Sequence, residues 1–344
     1  MRNLHRLLGL WLSGIVLIVS ITGSLLLLKP EYLRVVVPEA NQALQREQIS
    51  IVLDALDPMY SNGEWRFIRL YSHNLSLHKV FLSERRYAWH TQSGRQLEVW
   101  SGNQRFEDWL LDLHHRLLLG NTIGLNIVGI AGLLLLPLVT FGFCLWWPRR
   151  KAFKYGFIPK YGRYGDTQRS HANLGAAIGI PVLLIVITGV ILVYPSESRW
   201  LLQNGFSEQP PPVVTREGKV DSAAKWAWAD QLNYVKSEFP DSIIRWAQPA
   251  SEQSPFRVIG FQEKNALDKT GKSSVRFYKD GGTLIKVAQD QPMKVRAMNI
   301  TYGLHTGDIH PVYRYAMVLF GFGLSALAIL GFLTYWRRKS SSPA

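Results

Sequence analysis

The sequence predicts an α-helical membrane protein: a four-transmembrane-helix bundle built as a parallel tandem repeat, with folded α+β segments on one side of the membrane. Three observations predict this fold class. The chain has four long apolar blocks without a charged residue, its excess positive charge lies beside those blocks, and its two halves share fixed residue spacings.

Each apolar block is long enough to cross a lipid bilayer by itself. A membrane helix needs about 20 apolar residues to span a hydrocarbon core of about 30 Å. The blocks hold 21 to 31 residues each and cover residues 7–28, 117–147, 174–194 and 315–336. We interpret the first block as a retained anchor. It is longer than the apolar region of a signal peptide, and no small-residue cleavage site precedes Lys29.

The charge distribution predicts the orientation of the chain in the membrane. Segments 1–6, 148–171 and 337–344 hold 12 Lys and Arg residues against one acid, whereas segments 29–113 and 195–311 hold 25 against 24. Short basic stretches beside membrane helices mark the cytoplasmic side. Both termini are therefore predicted to be cytoplasmic. The predicted order is a helix over 7–28, an outer segment over 29–113, a helix over 114–147, a basic cytoplasmic loop over 148–171, a helix over 172–194, an outer segment over 195–304, a helix over 312–336 and a cytoplasmic tail over 337–344.

Composition also excludes several kinds of site. The net charge of +14 does not indicate a nucleic-acid partner, because a nucleic-acid footprint is a basic face on a folded domain and the folded segments are nearly neutral. The single cysteine, Cys144, excludes an intrachain disulfide and a cysteine-ligated metal cluster. Any metal or redox chemistry must therefore use other ligands.

Fixed spacings relate the two halves of the chain. Four residues near the first apolar block recur 166 positions later near the third: His5, Gly9, Thr22 and Gly23 correspond to His171, Gly175, Thr188 and Gly189. Three residues of the second block recur 189 positions later in the fourth: Gly132, Gly142 and Trp147 correspond to Gly321, Gly331 and Trp336. Each half is thus a helix going out, an outer segment and a helix coming back, which predicts a parallel repeat about an axis along the membrane normal.

Each outer segment is predicted to be a helix followed by a small antiparallel sheet. In the first segment a helix over 49–56 precedes strands over 65–71, 78–82, 86–91 and 96–99. In the second, Asp221-Ser222 is predicted to cap a helix that ends near Glu238. Strands follow over 242–246, 256–261, 274–278 and 283–287, the last two joined by a turn at Asp280-Gly281-Gly282.

Histidines are the candidate ligands for redox chemistry. His5 and His171 lie at the cytoplasmic mouths of the first and third helices, and His114 and His305 at the outer mouths of the second and fourth. A lone histidine at a membrane interface is commonly a snorkelling polar residue. Here one pair of histidines lies on each side of the membrane, which favours haem ligands over snorkelling residues. Two helices of a bundle that contribute one imidazole each can hold a haem between them.

Gly9 and Gly175 follow their histidines by four residues and share the same helix face. A missing side chain there would let a flat macrocycle approach, although close helix packing explains these glycines equally well. Two axial histidines leave no position on the iron for oxygen, so such sites suit electron transfer. Thr22 and Thr188 are interpreted as residues that form hydrogen bonds or pack between helices, and not as ligands. His73, His78 and His90 could relay protons or bind a metal, but exposed loop histidines are common, and the ordinary interpretation is preferred.

Several motifs resemble those of the PepSY-associated transmembrane proteins, also called iron-regulated membrane proteins, which include haem-containing ferric-siderophore reductases. The resemblance covers essentially the whole chain. The matching motifs are Leu4-His5-Arg6 with Thr22-Gly23, Asp112-Leu113-His114 through Leu117-Leu118-Leu119-Gly120, Trp146-Trp147-Pro148-Arg149, His171 with Thr188-Gly189, and Leu304-His305-Thr306-Gly307.

The resemblance implies PepSY-like periplasmic domains, two b-type haems and reduction of ferric siderophores at the periplasmic side of a bacterial inner membrane. It favours His114 over the adjacent His115, and His305 over His310, as haem ligands. The electron donor would be an unidentified cytoplasmic partner, since no G-x-G-x-x-G fingerprint for a nucleotide cofactor follows a predicted strand. Two other interpretations stay open: a non-enzymatic accessory protein that binds a peptide or partner, and a haem-bearing membrane subunit of another periplasmic reductase.

Overall fold

The computed structural model describes the chain apart from residues 43–48, 61–63, 71–74, 154–155, 162, 205–212, 220–226, 265, 268 and 341–344. The chain divides into two compact units. The helical unit comprises Met1–Leu28, Glu107–Ser198 and Leu304–Ala344, and the sheet unit comprises Lys29–Phe106 and Arg199–Gly303.

Four long apolar helices form the helical unit, as the sequence predicts. They are α1 (Arg2–Leu27), α5 (Leu125–Trp146), α6 (Tyr164–Val193) and α10 (Pro311–Ser340). The described residues contain four segments that are long and apolar enough to cross a membrane, and each of these helices lies in one of them. α1 packs against α10 and α5, and α6 packs against the same two helices. Leucine, isoleucine and valine side chains from all four helices meet in one core, in which Val182 is 1% exposed.

The structure divides the predicted helix over 114–147 in two. A separate helix, α4 (Phe106–Arg116), ends where Leu117 and Leu118 take the left-handed conformation, with φ of 50° and 61°. One π-helical turn (Gly120–Gly124) then leads into α5. The bend is tight: a Cβ on Gly124 would lie 1.8 Å from the carbonyl oxygen of Arg116. His114 therefore closes a short helix instead of opening the spanning one.

His305 has the same placement in the second half of the chain. It lies at the end of α9 (Met293–Thr306), which stops at Gly307 with φ of 72°. α10 begins four residues later at Pro311, a residue well suited to the first turn of a helix. The expectation that His114 and His305 open helices two and four is thus corrected at both positions.

The sheet unit contains a nine-stranded antiparallel sheet. The strands are β1 (Trp65–Arg69), β2 (His78–Leu82), β3 (Arg86–His90), β4 (Gln96–Ser101), β5 (Arg216–Lys219), β6 (Ile243–Gln248), β7 (Phe256–Gln262), β8 (Ser273–Tyr278) and β9 (Gly282–Lys286). Their order across the sheet is β4-β3-β2-β1-β6-β7-β8-β9-β5. The remaining helices are α2 (Lys29–Val36), α3 (Ile49–Met59), α7 (Pro195–Asn204) and α8 (Trp228–Glu238).

The two predicted small sheets are one sheet in the structure. β1 pairs with β6 through Ile68 opposite Ala247 and Arg69 opposite Trp246, which joins the two outer segments edge to edge. Local alternation of side chains predicts strands but not which distant edges pair, so the junction has no sequence signal. β5 is also absent from the prediction, and the proposed cap at residues 221–222 lies outside the described part of the chain.

A polar contact crosses from the first half of the sheet unit to the second. Asp57, at the end of α3, accepts hydrogen bonds from Trp65 Nε1 and Trp228 Nε1 at 3.2 Å each, and pairs with Arg257 at 2.7 Å. The Arg257 guanidinium also lies 4.2 Å from the centre of the Trp228 ring. The Arg257 side chain is only 10% exposed, so the ion pair with Asp57 compensates a largely buried charge, to which Asp54 also contributes.

Asp57→Ala should therefore destabilise the sheet unit by about 2 kcal/mol, the usual size of the loss when a hydrogen bond to a charged group is removed. Thermal unfolding of the purified full-length protein, followed by tryptophan fluorescence, measures the change. Asp241→Ala is the matched control, because its pair with Lys264 is 67% exposed on both sides and contributes little. Equal stability of the two variants would contradict the prediction.

Candidate functional site

The first histidine pair joins α1 and α6. The imidazole rings of His5 and His171 have centroids 6.2 Å apart and planes inclined at 72°. His5 Nδ1 donates to the carbonyl oxygen of Leu138 at 3.0 Å, and His171 Nδ1 donates to that of Leu327 at 3.1 Å. A backbone carbonyl can only accept, so Nδ1 carries the proton in both rings and Nε2 has a free lone pair.

Each ring of the first pair packs on a glycine. A Cβ built on Gly142 would lie 3.0 Å from Cε1 of His5, and one built on Gly331 would lie 3.4 Å from Cε1 of His171. Gly142 and Gly331 follow the carbonyl-bearing leucines by four residues, one turn further along the same helix face. The sequence singled them out for their spacing, but their contact with the histidines is a structural finding.

The second histidine pair joins α4 and α9. The ring centroids of His114 and His305 lie 6.3 Å apart, with planes inclined at 43°. His114 Nδ1 donates to the carbonyl oxygen of Val19 at 2.9 Å and lies 3.2 Å from Thr22 Oγ1. His305 forms a hydrogen bond with the backbone of Ile185, and its Nδ1 lies 3.1 Å from Thr188 Oγ1.

Glycines again lie under these rings. A Cβ on Gly23 would lie 2.7 Å from Cε1 of His114, and one on Gly189 would lie 3.1 Å from Cε1 of His305. The recurring dipeptides Thr22-Gly23 in α1 and Thr188-Gly189 in α6 therefore contact the imidazole rings of the second histidine pair. The sequence predicted hydrogen bonding or packing between helices for the two threonines, but it did not identify the histidines as their partners.

Gly9 and Gly175 do not contact the histidine rings. A Cβ on Gly9 would meet Leu138 Cδ1 at 3.9 Å, and one on Gly175 would meet Leu327 Cδ2 at 3.7 Å. Both distances are ordinary van der Waals contacts, so the packing between protein side chains does not require glycine at either position. The approach of a macrocycle to Gly9 and Gly175 stays a prediction.

The two second-choice ligands have different surroundings. His115 is a neighbour of the second pair, with its ring centroid 5.6 Å from that of His114. His310 is exposed, and its Nδ1 accepts from the backbone N–H of Val312 at 3.2 Å at the start of α10. It acts as a local helix cap. The partner of His114 in the structure is thus His305 and not His310.

The geometry of both pairs fits two imidazoles that share one metal. A nitrogen–metal bond of about 2 Å on each side sets the ring centres about 6 Å apart. Metal-bound histidines commonly donate their other ring N–H to a carbonyl, as all four histidines do here. Nowhere in the described residues do three or more His, Cys, Asp or Glu side chains gather as a metal site. Two imidazoles alone suit a metal that brings its own equatorial ligands, as haem iron does.

His78 and His90 lie in β2 and β3, within the predicted strands over 78–82 and 86–91, but they are buried and not exposed. They are 1% and 0% exposed, which corrects the expectation from sequence, while His73 lies outside the described residues. His90 donates from Nδ1 to Gly94 O at 3.0 Å and bonds through Nε2 to the Tyr60 hydroxyl at 2.9 Å. Burial lowers the pKa of His78 to about 3, with a further lowering by His90, and burial also lowers the pKa of His90.

Acid should therefore destabilise the sheet unit. The pKa of both histidines is lower in the folded state than the unfolded value of 6.5, so the unfolded chain binds more protons as pH falls below 6.5 and stability is lost towards pH 3. Each unit of pH below 6.5 costs up to about 1.4 kcal/mol per buried histidine. Unfolding temperatures measured between about pH 7 and pH 5 should fall, and less steeply in His78→Gln. His310→Gln, an exposed control, should leave the slope unchanged.

The family model of the PepSY-associated TM region matches residues 2–338. No curated protein matches the chain at significant similarity.

Proposed function

The chain belongs to the family of the PepSY-associated transmembrane region, and on that basis we propose that it is a haem-bearing ferric-siderophore reductase of the bacterial inner membrane. In this proposal two b-type haems pass electrons from an unidentified cytoplasmic donor to ferric siderophore in the periplasm. The observation that carries the proposal is the pair of matched imidazole contacts, at centroid distances of 6.2 Å and 6.3 Å.

The two histidine pairs contact α1 near its opposite ends. α1 contributes His5 to the first pair, and Thr22 contacts His114 of the second. These positions are 17 residues apart, which is about 25 Å along a helix. That separation approaches the thickness of the hydrocarbon core, about 30 Å. One redox centre near each face would divide the membrane crossing into short electron transfers.

The chain's own residues bind and orient the cofactors. His5 with His171, and His114 with His305, would hold the two haem irons through Nε2. Haem iron with two imidazole ligands gains and loses single electrons without an open position for oxygen. The glycines beneath each ring leave it room, and the Nδ1 hydrogen bonds fix its rotation.

Matched contacts support the proposal of a parallel tandem repeat. His5 bonds to Leu138 and packs on Gly142, and the residues 166 or 189 positions later make the same contacts: His171 with Leu327 and Gly331. We propose that the basic segments hold both termini in the cytoplasm, as the positive-inside rule predicts. The sheet unit would then be a PepSY-like periplasmic domain.

Reduction would release iron because ferrous ions bind hard-oxygen chelators more weakly than ferric ions do. The direct test is the protein in proteoliposomes, with a soluble reductant inside and a ferric siderophore plus a ferrous-specific chromogenic chelator outside. Chromogenic complex should form with wild-type protein and not with empty liposomes. Haem that is oxidised by other external acceptors but never by ferric siderophore would instead favour a membrane subunit of another reductase.

A further inference from the structure

Resting on the proposed haem ligation, we propose that Thr22 and Thr188 are positioning residues that raise the electron donation of His114 and His305 to the second haem. They do so as second hydrogen-bond acceptors for the two Nδ1–H groups. The first histidine pair has no counterpart of these hydroxyls, so the two haems would differ in redox potential through the second site's ligands.

Hydrogen-bond accounting makes each threonine an acceptor toward its histidine. Thr22 Oγ1 lies 2.7 Å from the carbonyl oxygen of Ile18 and 3.1 Å from that of Val19, and Thr188 Oγ1 lies 2.8 Å from that of Leu184 and 2.9 Å from that of Ile185. Each hydroxyl therefore donates to a backbone carbonyl of its own helix. A hydroxyl has one proton and two lone pairs. With its proton committed within its own helix, each hydroxyl can only accept from the histidine Nδ1, at 3.2 Å and 3.1 Å.

These contacts are shielded from water. Thr22 is 5% exposed and Thr188 is 3% exposed, so water cannot readily replace either hydroxyl as the acceptor. Hydrogen bonds in such low-dielectric surroundings are electrostatically stronger than those at a surface. Each Nδ1–H of the second pair is therefore shared between a backbone carbonyl and a hydroxyl.

The surroundings of the four histidines share one pattern and differ at one position. For each histidine a backbone carbonyl accepts from Nδ1, and the glycine under the ring follows the residue with that carbonyl by four positions. The residue three positions after the carbonyl is Thr22 or Thr188 in the second pair, after Val19 and Ile185. In the first pair it is Phe141 or Leu330, after Leu138 and Leu327. At this position the second pair therefore has a hydroxyl and the first pair has an apolar side chain.

Sharing the Nδ1 proton gives an imidazole more anionic character and makes Nε2 a stronger donor. A stronger donor stabilises ferric iron over ferrous iron and so lowers the reduction potential of the site. The second haem would then be a stronger reductant than it would be with carbonyl acceptors alone. That property suits a site that must pass electrons to ferric chelates.

Thr22→Val and Thr188→Val remove the acceptor and keep the shape, whereas the Ser variants keep the hydroxyl. The matched control is Thr334→Val, since Thr334 Oγ1 makes the same bond within its helix, to Leu330 O at 2.7 Å. A redox titration of the purified haem protein, read optically and by electron paramagnetic resonance of the ferric state, resolves the two haems. Each Val variant should raise the second potential, with about a tenfold shift in relative ferric affinity, or about 59 mV for one electron.

The Ser variants, Thr334→Val and the first haem should keep wild-type potentials. Selective loss of the second haem in the Val variants, with retention in the Ser variants, would also support the proposal. Unmoved potentials in the Val variants, or equal changes in Val and Ser variants, would overturn it and leave the proposed function standing. Wild-type protein without haem would overturn the proposed function and this inference together.

Discussion

His305→Ala and His171→Ala should each reduce the haem content from two per chain to one. Each substitution removes one of the two axial ligands that the structure brings together, and a single remaining imidazole does not give the same low-spin site. Electron transfer across proteoliposome membranes should fall to the level of empty liposomes in both variants, because transfer across the whole membrane requires both haems. The double variant should contain no haem.

His310→Ala is the matched control for the histidine variants. His310 is exposed, and its ring only caps the start of α10, so its removal should leave two haems. Haem content should be measured on protein that elutes as a single folded species, with ample haem supplied during expression. Retention of two haems in His305→Ala would show that the second pair is not the ligand set.

Gly23→Ala should selectively disrupt the second histidine pair. The added Cβ would lie 2.7 Å from Cε1 of His114, closer than side chains pack, so the imidazole must move out of its seat. A displacement of this kind alters the axial bond and its hydrogen bonds to Val19 and Thr22. We expect loss of most of the second haem with the first retained, measured by the same haem-to-protein ratio and by redox titration.

Gly14→Ala provides the control on the same helix. A Cβ on Gly14 would meet no other atom within 4 Å, so the substitution adds a methyl group without a clash. Alanine forms helices better than glycine, so neither variant should weaken α1 itself. Equal haem contents in Gly23→Ala and Gly14→Ala would contradict the view that glycine is required beneath the His114 ring.

The helices and the histidine pairs could be predicted from sequence because their signals are local and repeated. Uninterrupted apolar blocks predict spanning helices by length alone, and recurrence of His5 and Thr22 as His171 and Thr188 relates the halves before any contact is known. Both signals depend only on spacing along a regular helix, which preserves register over many turns.

Other features depend on contacts that sequence pattern does not encode. The break after α4 uses left-handed Leu117 and Leu118, residues that favour a continuing helix when judged locally. The joining of β1 to β6 pairs segments separated by most of the chain. Burial of His78 and His90 follows from which face of the completed sheet is covered. The role of Gly23 was hidden because a helical glycine has the same local signal whether it faces a helix or an imidazole.

The central claim, that two histidine pairs hold two haems, is tested most directly by the haem-to-protein ratio and the reduced-minus-oxidised absorption spectrum of the purified wild-type protein. The account predicts two haems per chain with the spectrum of six-coordinate, bis-histidine b-type centres. Protein produced with ample haem that contains none would contradict the claim and favour a non-enzymatic binding role for the sheet unit.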